Sequence, residues 1–306
     1  MSLPLSRRAV LAAGAAAPFA LSATQGQAAA PMLGAGQPLF NRFKLGGFEV
    51  TTLLAASSTA KDAQNYFGMD VDAAEFKAVS DANFLPVDTL QFFFTPTIVN
   101  TGNELVLFDT GLDADAIVAA VTAAGYAPEQ VDKVVITHMH GDHVGGLSGD
   151  SGETFANAAI YTGATEFDFW AGAENGTFDG KVKPLAEKTT MLSDGGAVAS
   201  GITAMDASGH TPGHMTYMLE SEGKALMIGG DFTNHYVWSL AYPDWEMRFD
   251  MDKPAAAATR RRILGMLAAD KLPFIGYHMP FPGLGYVETR EDGFRYVPAS
   301  YQMMLG

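Results

Sequence analysis

The sequence predicts an α/β protein in which a mixed β-sheet, or two sheets, is flanked by helices. Three observations support this class. Hairpin patterns come first along the chain, strands and helices then alternate, and 48% of the 306 residues are hydrophobic. This order of elements is typical of packed layers of sheet and helix. No low-complexity linker follows residue 38, so residues 31–306 are predicted to form a single domain.

Apolar runs bounded by turn residues mark the elements of the first half. Gly46-Gly47 and Thr101-Gly102-Asn103 are the turns of two predicted hairpins. Gly125 ends a helix, because glycine is a normal C-terminal stop. In chain order we expect two strands over Phe40–Ser57, an irregular segment over 60–88 with a short helix near Ala73–Val79, β-rich runs over Leu90–Asn100 and Glu104–Asp109, a helix over Asp113–Ala124 and a buried strand over Lys133–Thr137.

The second half alternates strand and helix patterns in the same way. Pro254 begins a long Ala/Arg-rich helix, and proline is tolerated in a first turn. In chain order we expect a strand over Ala159–Thr162, a helix over Ala164–Ala171, strands over Ile202–Ala207, Met215–Glu220 and Lys224–Ile228, a helix from Pro254 to about Ala269 and a last strand over Phe274–His278.

The N-terminus has the composition of a secretory signal. Arg7 and Arg8 precede an Ala/Leu-rich run that extends to about Leu21, and small residues then lead to Pro31. A charged, an apolar and a small-residue region in this order predict that residues 1–30 are a cleaved signal peptide. The paired arginines favour twin-arginine export and a periplasmic or secreted protein. The alternative is an uncleaved membrane anchor, but a membrane span needs about 20 apolar residues and this apolar run is shorter.

Charge and cysteine content exclude some classes of function. The formal net charge is -15, whereas a nucleic-acid partner requires a Lys/Arg-rich face, so no nucleic acid is expected. Outside the signal no stretch is apolar enough for a stable membrane association. Since the chain has no cysteine, it forms no disulfides, and any metal must be held by His, Asp and Glu.

A dense cluster of metal-binding residue types directly follows the buried strand that ends near Thr137. His138, His140, Asp142 and His143 lie within six residues. In an extended or turning loop, residues i and i+2 point the same way, so His138 and His140 can hold one ion. Asp142 and His143 can then hold a second. Imidazole and carboxylate ligands suit zinc, and iron, manganese and cobalt stay open.

Three further residues at predicted strand ends can complete these sites. His210 lies in the Ser208–His214 turn, Asp231 follows two glycines after an apolar strand, and His278 ends the last predicted strand. A carboxylate buried at the position of Asp231 is costly unless it meets a cation. Strand ends are also where sites on α/β folds are built.

Five ordered motifs between residues 109 and 278 resemble those of the metallo-β-lactamase superfamily. They are Asp109-Thr110-Gly111, His138-x-His140-x-Asp142-His143, Gly209-His210-Thr211-Pro212-Gly213-His214, Gly230-Asp231 and His278. The resemblance implies an αββα sandwich of two mixed β-sheets flanked by helices, with two divalent metal ions between its halves. It also implies that one ion is bound by His138, His140 and His210, and the other by Asp142, His143 and His278, with Asp231 bridging.

The resemblance also assigns supporting roles and excludes one activity. Asp109 orients the ligands, and His214 supports them without binding metal. The cysteine ligand of the common zinc β-lactamases is absent, which argues against antibiotic hydrolysis.

Segments outside the metal motifs are similar to methyl parathion hydrolase and its lactonase and arylesterase relatives. These segments are Gly47–Thr51, Gly125–Asp132, Phe167–Trp170 and Gly293–Pro298. The group implies a homodimer and a pocket walled by aromatic residues, for which Trp170, Phe178 and Phe94 are the candidates. His235 belongs to no motif and is expected to be a polar surface or pocket residue. The Leu112–Asp115 segment is shorter than in that group and lacks its aromatic residue, which weakens the case for phosphotriester hydrolysis.

The predicted function is metal-dependent hydrolysis of an ester-type bond. The substrate is a small apolar or aromatic lactone, aryl ester or phosphotriester. Two cations ~3.5–4 Å apart activate a shared water, and Asp142 and Asp231 are the candidate catalytic carboxylates. Two alternatives stay open. One is a thioester hydrolase or iron-dependent sulfur dioxygenase of the same fold. The other is a periplasmic metal-binding protein with no coordination position left for water.

Overall fold

Two seven-stranded β-sheets dominate the computed structural model, which describes residue 32 and residues 34–303. The predicted signal peptide, residues 1–30, lies outside the described residues. Within the described part, every helix is too short or too polar to cross a membrane.

Sheet 1 is formed by residues 40–192 and is mixed. Its strands stand in the order β1-β2-β5-β6-β7-β10-β11, antiparallel from β1 to β6 and parallel from β6 to β11. They are β1 Phe40–Leu45, β2 Phe48–Leu53, β5 Thr97–Asn100, β6 Leu105–Phe108, β7 Lys133–Val135, β10 Ala159–Gly163 and β11 Thr189–Leu192. The parallel strands all end at the same edge, and the histidine cluster follows β7 there.

Sheet 2 is formed by residues 197–298 and is also mixed. Its strands follow chain order, and all pairs are antiparallel except β15 with β16. They are β12 Ala197–Ala199, β13 Ile202–Asp206, β14 Met215–Ser221, β15 Lys224–Gly230, β16 Phe274–Gly276, β17 Leu284–Arg290 and β18 Gly293–Pro298. Two small hairpins stand apart, β3 Ala56–Lys61 with β4 Thr89–Phe94, and β8 Ser148–Gly149 with β9 Gly152–Glu153.

Three of the five α-helices of the described residues pack on the sheets. The five are α1 Ala73–Ala82, α2 Ala114–Ala123, α3 Gly141–Val144, α4 Ala164–Gly172 and α5 Lys253–Asp270. The helices α2 and α4 contribute to the core on one face of sheet 1, and α5 packs on sheet 2. A third core joins the inner faces, where Val106 and Phe108 meet Tyr217 and Ile228. This arrangement confirms the predicted αββα sandwich.

Side-chain caps fix where the longer helices begin. The carboxylates of Asp72, Asp113 and Asp252 accept backbone N–H bonds at the first turns of α1, α2 and α5. Each such cap is worth about 1 kcal/mol. Asp113 therefore precedes the helix that the sequence placed over Asp113–Ala124.

Two sequence predictions of strands were wrong. The run Leu90–Asn100 is not one strand, because it breaks at Thr95-Pro96. Its first part pairs with β3 in a separate hairpin, and its second part enters sheet 1. Phe274–His278 is not the last strand either, since β17 and β18 follow. In β18 exposed Arg295 stands between buried Phe294 and Tyr296, an alternating pattern that the sequence prediction did not include.

Candidate metal centre

The histidine cluster lies in a tight loop between β7 and the one-turn helix α3. His140 is the N-cap of this helix, and its carbonyl accepts the N–H of His143 at 3.0 Å. Gly145 and Gly146 let the loop pack directly on backbone. A Cβ at Gly145 would lie 2.0 Å from the carbonyl oxygen of Leu112, and one at Gly146 would lie 2.2 Å from that of Thr110. Only glycine fits these contacts.

Three histidines converge at one side of this loop. Nδ1 of His140 lies 3.0 Å from Nε2 of His138 and 3.0 Å from Nε2 of His210. We call these residues the three-histidine set; their ligand atoms all lie within 4.8 Å of one another. Burial, followed by the neighbouring histidines, lowers the pKa of His138 well below its usual range and that of His140 to about 3. His138 and His140 are therefore neutral, the form that binds metal.

A second set combines two carboxylates with two imidazoles. It consists of Asp142, His143, Asp231 and His278, and we call it the carboxylate set. Nε2 of His143 lies 3.6 Å from Oδ2 of Asp142 and 3.4 Å from Oδ1 of Asp231. Nε2 of His278 lies 3.3 Å from Oδ2 of Asp142 and 3.1 Å from Oδ2 of Asp231. Four ligand atoms thus surround one position.

Asp231 faces both sets from the end of β15. Its Oδ2 lies 3.6 Å from Nε2 of His210 and 4.0 Å from Nε2 of His138, in addition to its contact with His278. Asn234 Nδ2 also donates to this oxygen at 2.8 Å. The preceding Gly230 has a φ of 58°, and a Cβ there would lie 2.7 Å from Nε2 of His214. The carboxylate is therefore held between the two sets, where it can be shared.

The polar atoms of these sets fit two divalent cations. Nε2 of His143 and Oδ1 of Asp231 are buried and have no hydrogen-bond partner among the described residues. Leaving such atoms unpaired is costly, and a cation between them removes that cost. Neutral imidazoles and carboxylates without thiolate match zinc.

The pKa shifts in the carboxylate set also indicate a place for positive charge. Burial opposes the charged form of His278, but Asp231 and Asp142 outweigh it and raise its pKa to about 10. The same carboxylates, with Asp109, raise the pKa of His143 well above its usual range against burial. Protons occupy these imidazoles when no metal is bound, and a bound cation replaces them.

Residues behind the ligands determine which ring nitrogen faces the site. Asp109, at a φ of 59°, accepts bonds from the Thr137 N–H and from His143 Nδ1, both at 2.9 Å. His278 Nδ1 lies 2.8 Å from the carbonyl oxygen of Phe93. Each contact places the ring proton on Nδ1 and leaves Nε2 to face the ligand set. His214 acts on the backbone instead, since its Nε2 accepts the Asp231 N–H at 2.9 Å.

Glu166 was missed by sequence reasoning, although it touches both metal-binding loops. Its side chain is fully buried on α4. Oε1 accepts the Met139 N–H at 2.9 Å and the Trp170 Nε1–H at 2.7 Å. Oε2 accepts the Thr211 hydroxyl at 2.7 Å and the Gly213 N–H at 3.0 Å. The one available signal was the i, i+4 spacing to Trp170, which puts both on one helix face.

Asp250 and Arg260 were also missed. Both are buried, and Oδ1 of Asp250 lies 2.9 Å from Nδ1 of His210. No motif contains Asp250, and Arg260 is one of three consecutive arginines in α5, a pattern that normally indicates an exposed helix face.

A cavity of about 580 Å³ opens in front of the two sets, with Asp142, Asp231 and His278 in its lining. Its lining is largely apolar, and its large apolar side chains are Tyr66, Phe92, Phe94, Leu112 and Phe249.

Of the three aromatic residues predicted for the pocket, only Phe94 lines this cavity. Trp170 instead donates to Glu166 and contacts His140, and Phe178 is buried against Phe167 in the core beside sheet 1. His235 lines a separate cavity of about 280 Å³.

Comparisons with known proteins agree with this geometry. A family model described as the metallo-beta-lactamase superfamily matches residues 95–273, more than half of the chain. The uncharacterized protein YobT of Bacillus subtilis (strain 168) is 28% identical over 164 residues, which are 48% of this chain and 68% of that protein. An N-acyl homoserine lactonase of Bacillus cereus is 26% identical over 116 residues, 38% of this chain and 44% of the lactonase.

A solved structure is similar to this chain over most of the fold. The structure of AidC, a dizinc quorum-quenching lactonase in complex with a product, has a TM-score of 0.79 and 25% sequence identity. The match covers 86% of this chain and 98% of that chain.

Proposed function

The chain belongs to the metallo-beta-lactamase superfamily, and we propose that it is a dinuclear metal hydrolase that opens lactones. One observation carries the proposal. Two ligand sets share the carboxylate of Asp231 at the base of a cavity with aromatic walls. The dizinc lactonase that resembles this chain in structure supports it, as does the N-acyl homoserine lactonase relative.

The side chains of the two sets have distinct tasks in this proposal. The three-histidine set and the carboxylate set would each hold one cation, and Asp231, which faces both sets, would be shared between them. Two cations held in this way supply a nucleophile made from water at neutral pH and polarise the substrate carbonyl. Zinc is the proposed metal, with iron, manganese and cobalt as the alternatives to be measured.

Asp142 is the proposed proton acceptor, because it is the less buried carboxylate of the site and lines the cavity. Burial favours its neutral form, but His143 and His278 outweigh that effect and lower its pKa to about 2. Its carboxylate is thus ionised at neutral pH and can accept a proton from water through the oxygen that does not bind the cation. A catalytic role follows for Asp142 and Asp231.

The cavity fits an uncharged ester with an apolar substituent. Its volume of about 580 Å³ falls in the range of small-molecule sites. Phe92 and Phe94, two residues apart on β4, line the cavity beside the carboxylate set, and both rings contact the ring of His278. Aryl esters and phosphotriesters are secondary candidate substrates. We also propose that the protein is periplasmic or secreted and that it forms a homodimer.

The test is metal content and turnover measured on one preparation of the mature chain. Zinc, iron, manganese and cobalt are counted per chain, and N-acyl lactones, aryl esters, phosphotriesters and thioesters are assayed before and after chelation. We expect two metals per chain and lactone turnover that chelation abolishes and zinc restores. One iron per chain without ester turnover, or thioester turnover alone, would overturn the proposal.

A further inference from the structure

We propose that Asp250 and Arg260 are positioning residues for His210, fixing its orientation and ring tautomer and so setting the affinity of the three-histidine set for its cation. The inference rests on the proposed metal-binding role of His138, His140 and His210. Asp250 and Arg260 do not face the cavity and act through His210 alone.

The first step is the contact between Asp250 and His210. Oδ1 of Asp250 lies 2.9 Å from Nδ1 of His210, and Oδ2 accepts a bond from Nη1 of Arg260 at 2.6 Å. The three side chains are at most 1% exposed. A carboxylate so far from water must be paired, and here each of its oxygens has one partner. The carboxylate therefore cannot rotate away from His210 without losing a partner.

The second step is the anchoring of Arg260 on α5. Its Nε donates to the Pro243 carbonyl at 2.7 Å, and its Nη2 donates to the Trp245 carbonyl at 3.3 Å. The planar guanidinium is thus fixed by acceptors on three residues. Its position fixes the carboxylate of Asp250, because the ion pair is buried and short.

Backbone contacts hold the same two segments together. The Met251 N–H donates to the His210 carbonyl, and the Asp252 N–H donates to the Gly209 carbonyl, both at 3.0 Å. Gly209 has a φ of 134°, and a Cβ there would lie 2.4 Å from the backbone nitrogen of Ala256. The loop that carries His210 is therefore seated on the first turn of α5, next to Asp250.

The chemical consequence concerns the ring proton of His210. An ionised carboxylate at Nδ1 keeps the proton on that nitrogen and leaves the lone pair on Nε2, which lies 3.0 Å from Nδ1 of His140 and 3.6 Å from Oδ2 of Asp231. A charged acceptor behind an imidazole also raises its strength as a ligand. Asp109 has the same relation to His143 in the carboxylate set.

A purely structural role predicts different behaviour, and the chain offers a matched control for it. Asp244 forms an ion pair with Arg261, the next residue along α5, so this pair also joins the 243–250 segment to the helix. Unlike the buried pair, it is exposed, and the bonds recorded for it involve no metal-ligand side chain. Removing it tests the attachment of the segment without touching His210.

The decisive variant is Asp250→Asn in the full mature chain. Opposite Arg260 the amide NH₂ would face another donor, so its oxygen turns to Arg260 and its NH₂ faces Nδ1 of His210. That arrangement moves the ring proton to Nε2 and blocks its lone pair. Zinc affinity is measured by chelator competition on metal-free protein. We expect one of the two sites to weaken about 10–100-fold while the other is unchanged. Asp244→Asn is expected to leave both sites within about twofold.

A second variant separates metal binding from folding. Asp250→Leu/Arg260→Met replaces the buried ion pair with apolar side chains, which removes both buried charges together and leaves the Pro243 and Trp245 carbonyls without the guanidinium. Circular dichroism of the metal-free variants checks the fold, and the same selective loss of one zinc site is expected. Unchanged affinity at both sites in a folded Asp250→Asn protein would overturn the inference. Selective loss of one site without lactone turnover in the parent protein would sustain it and refute the proposed function. A parent protein that binds no zinc would overturn both.

Discussion

Replacing Glu166 with glutamine tests whether a single buried carboxylate holds the two metal-binding loops together. The carboxylate accepts four hydrogen bonds, from Met139, Trp170, Thr211 and Gly213. An amide oxygen can accept at one side only. The best orientation turns the amide NH₂ toward Thr211, whose hydroxyl can reverse and accept, and leaves the Gly213 N–H without an acceptor.

The size of the effect follows from these bonds. One buried N–H without a partner costs about 1–3 kcal/mol, and the bonds that remain lose a charged acceptor. Removing a buried charge offsets part of this loss. We therefore expect Glu166→Gln to lower the free energy of unfolding by about 3 kcal/mol. For a chain of this size, that corresponds to a fall in Tm of about 6–12 °C.

Thermal unfolding of the metal-free protein, followed by circular dichroism, gives the answer. The control is Asp168→Asn, which removes an exposed carboxylate from the same helix and is expected to shift Tm by about 1 °C or less. A Glu166→Gln variant with the same Tm as the control would refute the argument. It would show that the four hydrogen bonds to the carboxylate do not contribute measurably to the stability of the fold. Zinc affinity is expected to fall as well, since the Met139 and Gly213 N–H groups belong to the two ligand loops.

Three further outcomes are expected from the site. Asp231→Ala removes the shared carboxylate, so metal counted by elemental analysis should fall from two per chain to one or none and turnover should be lost; full activity would contradict its bridging position. In metal-free protein the pKa of His278 is raised to about 10, so its stabilising contribution is complete below its usual 6.5 and is lost as pH rises toward 10. Because zinc displaces this proton and that of His143, zinc affinity should rise with pH across the same window. Calorimetry in buffers of different ionisation enthalpy detects the released protons, and a pH-independent zinc affinity would argue against protonated His143 and His278 in the metal-free protein. Leu112→Trp narrows the cavity mouth and should raise KM for long-chain lactones several-fold at unchanged zinc content, whereas Met191→Trp, exposed on β11, should not.

The seven candidate ligands could be selected from sequence because each follows a strand or a tight turn that sequence patterns reveal. His138 and Asp231 illustrate this, since both directly follow apolar β-rich runs. The αββα fold was accessible through the resemblance of the five ordered motifs to the metallo-β-lactamase superfamily, whereas the pattern of elements alone gave a mixed sheet, or two sheets, flanked by helices. Strand pairing was less accessible. Pro96 divides one apolar run between a hairpin and a sheet, and only the pairing partners show this.

The supporting residues could not be selected from sequence. Glu166 and Arg260 are charged residues in helices, where most such side chains face water, and their burial arises only when α4 and α5 meet the loops. Phe178 shows the converse error. Its aromatic ring suits a pocket wall, but the 173–188 segment turns it into the core beside Phe167. Local composition does not encode these long-range contacts.

The two sheets come from separate, contiguous stretches of the chain, and each ligand set draws on both. The three-histidine set takes His138 and His140 from the stretch that builds sheet 1 and His210 from the stretch that builds sheet 2. The carboxylate set divides in the same manner, and its final member is His278. During synthesis, the three-histidine set is therefore incomplete until His210 has been made and the carboxylate set until His278 has been made, and each set also requires the two portions to dock. Complete metal binding would then follow the docking of the two portions. A chain cleaved between β11 and β12 would bind its metal ions fully only when the two fragments associate.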